Sequence, residues 1–205
     1  MSPTCLIRTI VPVFLIVAMP LPVLAADPIE EVKLTTDKIL SIVTNPAFKA
    51  PSKTEEKEKL IRQAVDERFD WEEMARRALA IHWAERTAEE KKEFIRLFAD
   101  LVERTYMKKV EDYSGEKVLY EGEAKEKDYA SVRVKIVTKR GEDIPVEYRL
   151  KKEREAWFVY DVSIEGVSLV NNYRVQFHSI LSQSSYENLV KRLREKVESK
   201  RGLDG

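Results

Sequence analysis

YASVRVKIVTKRGEDIPVEYRLKKEREAWFVYDVSI, residues 129–164, decides the fold class. Ala130, Val132, Val134 and Ile136 alternate with Ser131, Arg133 and Lys135, and Ile144, Val146, Tyr148 and Leu150 alternate with Pro145, Glu147 and Arg149. A period of two puts each apolar set on one face of a strand. Lys139-Arg140-Gly141-Glu142 between them has the composition of a hairpin turn. From Ala156 to Ile164 the chain is apolar at nearly every position until Asp161, and the whole reads as an antiparallel meander with one face inward. With a further candidate just upstream, the pattern predicts four antiparallel strands near 117–122, 128–138, 143–152 and 156–165. Inward rows are expected at 130/132/134/136, 144/146/148/150 and 158/160/162/164.

Outward from this meander the period changes to 3.6. Upstream, Asp27-Pro28 has the form of a cap and first turn, with Val32, Thr36, Ile39, Leu40 and Val43 following at helical spacing until Asn45-Pro46. A charged helix from about Thr54 carries Leu60, Ile61, Ala64 and Val65. Asp70 with Glu73, and Thr87 with Glu90, have capping-box spacing; the second box opens a long helix with Phe94, Leu97, Phe98, Leu101, Val102, Thr105 and Tyr106 on one face. Downstream, Ser168 is placed to cap a helix through Leu181, and a last helix carries Tyr186, Leu189, Val190, Leu193 and Val197. Helices, a four-stranded sheet and helices again make an α+β domain, pictured as an NTF2-like cone with its interior either filled or hollow.

The 205 residues contain 36 Lys+Arg and 36 Asp+Glu, and this balance argues against a nucleic-acid partner. Residues 1–25 stand apart: Arg8 is their only charge, Val13 to Ala18 are apolar, and Val23-Leu24-Ala25 suits a signal peptidase. Pro12, Pro20 and Pro22 interrupt the apolar run, so a cleaved signal peptide is expected rather than a membrane anchor. Its removal also takes Cys5, the only cysteine. An exported chain without disulfides must rest on its core, in a compartment such as a bacterial periplasm. Residues 26–201 are expected to form one domain, with 202–205 as a frayed tail.

A search for chemistry returns little. His82 and His178 are the only histidines, and nothing in their spacing suggests a metal site. Gly166-Val167-Ser168 resembles half of a nucleophile elbow, but the second glycine is missing and a helix cap explains the serine. No glycine-rich phosphate loop is present. Glu72-Glu73 and Glu89-Glu90 fall in first helical turns, where they complement the dipole. In the expected inward rows the only polar side chains are Tyr148 and Tyr160. No acid or base faces inward on this reading, so no catalytic residue is assigned. An apolar interior of this kind suits an oily ligand or a packed core.

Trp157 to Val170 (WFVYDVSIEGVSLV), followed by Tyr173-Arg174 and Gln176-Phe177, resembles the signature of the MlaC family, the toluene-tolerance auxiliary proteins of ABC transporters in Gram-negative envelopes. Phe69-Asp70 through Trp83, Phe94 to Tyr106, and Pro145-Val146 with Tyr148 and Leu150 are similar to the family too, so the likeness spans roughly 28–198. His82 departs from it, at a place where a helix-ending glycine is expected. The resemblance implies a non-enzymatic, monomeric periplasmic carrier whose cargo is phospholipid, with no cofactor and no metal. It implies traffic between the MCE-domain subunit of an inner-membrane ABC transporter and an outer-membrane lipoprotein–porin complex. A hopanoid or other hydrophobic-ligand carrier, and an NTF2-like enzyme, stand as alternatives. The acyl-chain wall is expected at Val134, Ile136, Tyr148, Leu150, Val162, Ile164, Val167 and Val170, with Phe98, Leu101, Tyr106 and Tyr173 from the helices. Asn171 and Arg174 are candidates for the mouth, where a helix N-terminus and a guanidinium could meet a phosphate. A solvated polar face or a partner contact is the competing reading there.

Overall fold

A computed structural model describes residues 27–201. The expected signal peptide and the 202–205 tail lie outside the described residues. Six α-helices and five strands follow in the order α1 (Pro28–Val43), α2 (Thr54–Asp66), α3 (Trp71–Leu79), α4 (Ala88–Glu111), β1 (Lys117–Glu126), β2 (Tyr129–Val137), β3 (Asp143–Glu153), β4 (Ala156–Ile164), β5 (Val167–Ser168), α5 (Leu169–Leu181) and α6 (Tyr186–Arg201). Short 3-10 turns at Pro46–Phe48, Pro51–Lys53 and Ala80–Trp83 join the first helices.

Local chemistry sets most boundaries. Asp70 accepts from the Glu73 amide at 2.9 Å, and Thr87 with Glu90 makes both bonds of a capping box, at 3.2 and 2.8 Å. Ser168 Oγ accepts from the Asn171 amide at 3.0 Å, so this serine is a helix cap. Asp27 departs from expectation. Its carboxylate makes no cap bond and instead pairs with Lys125 of β1 at 2.5 Å, which ties the start of α1 to the sheet. The helix-ending backbone strain falls on Ala80, at φ 49°, two residues before His82.

The sheet is an antiparallel meander ordered β1-β2-β3-β4-β5. The fifth strand, absent from the sequence reading, is two residues long and pairs Ser163 with Ser168 and Ile164 with Val167. Two residues are too few for an alternation signal. Glu165 and Gly166 join it to β4 with φ of 51° and 81°, as a two-residue hairpin turn requires. β1 continues to Glu126, past the expected 122, because a register shift between Tyr120 and Gly122 absorbs one residue.

A second irregularity corrects the expected inward row of β4. Leu150 pairs with Val159 but Arg149 pairs with Asp161, so Tyr160 is the extra residue of a bulge. One inserted residue reverses the side-chain parity beyond it. The inward set is therefore Trp157, Val159, Val162 and Ile164, all members of the sheet's apolar cluster, rather than 158/160/162/164. Tyr160 turns to the other side, where it packs among the helices and under Arg77.

Candidate functional site

The interior is divided. One apolar cluster joins the sheet's inner face to α1, through Val32, Val132, Val134, Val146, Leu150, Trp157, Val159 and Val162. A second joins α3, α4, α5 and α6, through Phe94, Phe98, Leu101, Tyr173, Phe177 and Leu189 among others. Among the described residues Phe69 alone packs against both. It is held by backbone bonds on either side: the Val159 amide donates to Arg68 O and the Asp70 amide to Val159 O, each at 2.9 Å. A domain of this size ordinarily has one contiguous core. Here two apolar faces lie on either side of a seam.

The register shows where the seam opens. Ala130, Leu150 and Val159 form one cross-strand row on the inner face, and Val132, Tyr148 and Val162 the next. Tyr120, Val134, Val146 and Ile164 come third, and Val118, Ile136 and Ile144 end the series beside the β2–β3 turn. The first rows are mostly sealed, whereas Val118, Tyr120, Ile136, Ile144 and Ile164 remain half-buried although they point inward. Helix α1 covers the sealed end. Val32 is buried there, the Ile29 amide donates to Glu123 Oε2 at 2.9 Å, and Glu31 pairs with Arg68.

Tyr148 marks the depth of this space. Burial pushes its phenol up to about 12, with Tyr120 as a minor contributor, and most of the side chain is covered by neighbouring atoms. Burial also raises the phenol of Tyr120, which lies beside Thr36; the two hydroxyls approach without forming a hydrogen bond of good geometry.

Helix α4 packs on α3 and α6 and makes no comparably close approach to any strand. Its link to α2 is ionic: Lys57–Glu111 at 2.7 Å, Arg62–Asp100 at 2.5 Å and Arg62–Glu103 at 3.1 Å. Burial raises the Glu103 carboxyl to about 7 against the opposing pull of Arg62. The sheet's inner face with α1 thus forms one apolar layer, and α3, α4, α5 and α6 form the other.

The structure divides the expected wall into two sets. Val134, Ile136, Tyr148, Leu150, Val162 and Ile164 belong to the sheet cluster, and Phe98, Leu101, Tyr106, Val170 and Tyr173 to the helical one. A ligand touches only atoms that remain accessible. Ile136, Tyr148, Ile164 and Tyr106 keep such surface, whereas Phe98, Leu101 and Leu150 are fully enclosed and stand behind it. Val167 is 61% exposed, because the two-residue strand β5 is the edge of the sheet and no further strand covers it; it borders the groove between β4, β5 and α5. Val118 and Tyr120 of β1 belong to the inner face but were missed, since the Gly122 irregularity obscures the alternation of that strand.

The expected mouth is also revised. Asp161, buried and assigned no role from sequence, accepts from Ser168 Oγ at 2.6 Å and from the Val170 amide at 3.0 Å. The protein's own carboxylate therefore occupies the N-terminus of α5, where a phosphate was considered. Arg174 donates to Asn171 Oδ1 at 2.5 Å on the exposed side of that helix, facing an outer groove. The two histidines meet at 3.3 Å between Nε2 of His82 and Nδ1 of His178. No group of three metal-ligating side chains occurs among the described residues.

Comparison with known proteins bears on this geometry. The family model described as MlaC protein matches residues 33–195. An intermembrane phospholipid transport system binding protein of Haemophilus influenzae, MlaC, is 23% identical over 124 residues, and that match spans 58% of this chain and 58% of the relative. A phospholipid-binding protein from Ralstonia solanacearum, solved in complex with a phospholipid, superposes with a TM-score of 0.78 at 26% identity, covering 86% of this chain and 99% of the other.

Proposed function

The chain belongs to the MlaC protein family, and we propose that it is a phospholipid carrier that holds acyl chains in the hollow between sheet and helices. The divided interior carries this reading. Two apolar clusters that do not merge into one core leave facing surfaces, and unfilled space between them would be costly in a protein that bound nothing. Filled with hydrocarbon, the same space restores the contacts that a packed core would have.

The energetics support a carrier rather than a catalyst. Two acyl chains expose about thirty methylenes in water at about 0.8 kcal/mol each, on the order of 20 kcal/mol in all. The inner-face side chains Ile136, Ile144, Ile164 and Tyr148 would offer such chains an environment close to that of a bilayer. The lipid then passes between two hydrocarbon phases, and net affinity is a small difference between large terms. The buried carboxylate of the sheet itself, Asp161 of β4, is committed to capping α5. No helix among the described residues is long and apolar enough to cross a membrane.

We read the route as periplasmic, between the MCE-domain subunit of an inner-membrane ABC transporter and an outer-membrane lipoprotein–porin complex. The family resemblance and the name of the Haemophilus relative support that route. Gentle purification followed by lipid extraction and mass spectrometry tests the reading. Phospholipid in stoichiometric amount is expected. A hopanoid would change the cargo and keep the carrier, and a lipid-free protein that takes up no phospholipid from vesicles would refute it.

A further inference from the structure

The chain has two histidines, 96 residues apart, and the fold brings them together. Helix α3 ends at Leu79, and Ala80, at φ 49°, swings the chain into the 3-10 turn Ala80–Trp83, which carries His82. Arg86 holds that turn: its amide donates to Trp83 O at 3.2 Å and its Nε to His82 O at 3.3 Å. His178 stands in the last turn of α5, next to the buried Phe177 that anchors the helix. His82 Nε2 and His178 Nδ1 are thereby 3.3 Å apart, with ring centres separated by 5.5 Å, so both nitrogens lie between the rings on their facing edges. His82 is half-buried and His178 exposed, and solvent reaches the pair.

Either a proton or a metal ion can lie between these nitrogens. A proton gives a hydrogen bond that is long at 3.3 Å and worth little on an exposed surface. The same distance suits a metal. Two nitrogens bound at about 2.05 Å with tetrahedral angles lie about 3.3 Å apart, whereas ligands at right angles lie about 2.9 Å apart. Imidazole favours zinc, copper and nickel over magnesium and calcium, and the tetrahedral spacing selects zinc among them.

The surroundings favour a cation. A recess of about 310 Å³ at His82 is lined by Glu85 and Glu187 against a single cationic side chain, Arg86. The charge of Arg86 is already shared with Glu85 at 3.1 Å and Glu90 at 3.6 Å, and its guanidinium stacks 4.6 Å over Tyr186. No third side chain completes a ligand set among the described residues. The remaining coordination positions therefore fall to water, with Glu85 and Glu187 close by on exposed side chains.

We propose that His82 Nε2 and His178 Nδ1 bind a zinc ion, which fastens the turn after α3 to the end of α5. His82 Nδ1 and His178 Nε2 keep their protons in that complex. The ion joins residues 96 positions apart, a pair that the unfolded chain does not hold together, so zinc stabilises the native state. This site is independent of the carrier reading.

The test adds ZnCl2 to the untagged, chelator-treated mature chain, which without residues 1–25 contains no cysteine to compete for the metal. Titration calorimetry is expected to show one ion per chain and scanning calorimetry a raised Tm, with no response to MgCl2. His82→Gln and His178→Gln, both at accessible positions, should each weaken zinc binding at least about tenfold and abolish the rise in Tm. In NMR spectra of the wild type the two histidines give the only imidazole signals, and both rings should shift together as zinc is added. Zinc bound at full affinity by H82Q/H178Q would put the ion on carboxylates and overturn the proposal. So would a shift of one ring alone, or no binding at about 1 mM zinc. Zinc-induced dimers in light scattering would also overturn it, because the histidines would then bridge two molecules.

Discussion

Replacing Tyr148 with glutamate separates a hollow from a packed core. Tyr148 faces inward between Val132 and Val162, deep enough that its phenol is pushed up to about 12, and it is not fully enclosed. In the lipid-free protein a carboxylate there keeps water around it, so Tyr148→Glu should fold. Loading with hydrocarbon expels that water, and the cheapest response is to neutralise the acid first. From an unperturbed pKa of about 4.3, protonation costs about 4 kcal/mol at pH 7 and about 1 kcal/mol at pH 5. Lipid binding should therefore fall by on the order of a thousandfold at pH 7 and recover by roughly a hundredfold at pH 5. Lipid per protein by extraction and mass spectrometry, with circular dichroism at both pH values, reads the outcome; Tyr148→Phe should keep its lipid throughout. An unfolded Tyr148→Glu at both pH values would mean a packed core, where an unpaired charge costs several kcal/mol. Wild-type loading at pH 7 would mean that the chains never reach this depth. Either result refutes the reasoning.

Other consequences follow from single groups. Glu103 is held at about 7 in the fold against an unfolded value of 4.5. The native state thus binds more protons between these values, so stability should decline as pH rises from 4.5 to 7, by up to about 3 kcal/mol. Glu103→Gln should flatten that slope in urea titrations, and an unchanged slope would place the titration elsewhere. Ala80, at φ 49°, should prefer glycine: Ala80→Gly is expected to gain about 1 kcal/mol and raise Tm by a few degrees, and a lowered Tm would show the backbone to be unstrained. Asp161→Ala removes the acceptor for Ser168 Oγ and the Val170 amide and should cost about 3 kcal/mol in denaturant unfolding, with Asp161→Asn recovering part of it; a loss below 1 kcal/mol would refute its capping role.

Periodicity and caps are properties of neighbouring residues, and the sequence determined them by itself. The 3.6 and 2.0 repeats place the six long helices and four of the five strands within a few residues, and Thr87 with Glu90 makes the capping box that its spacing announces. The Trp157–Val170 signature likewise named the family that the comparison then found over residues 33–195. What lay beyond it depends on contacts between residues far apart. A bulge at Tyr160 leaves no mark in a run that is apolar at nearly every position, so the parity of β4 could not be read. Asp161 looks like a strand residue until the chain turns back through Gly166 and brings the α5 amides to it. An apolar face in sequence says only that water is excluded from it. Whether two such faces merge into one core, as the helices do around Phe94 and Phe98, or stay separate clusters joined through Phe69, as sheet and helical layer do, is decided only when residues distant in sequence pack together.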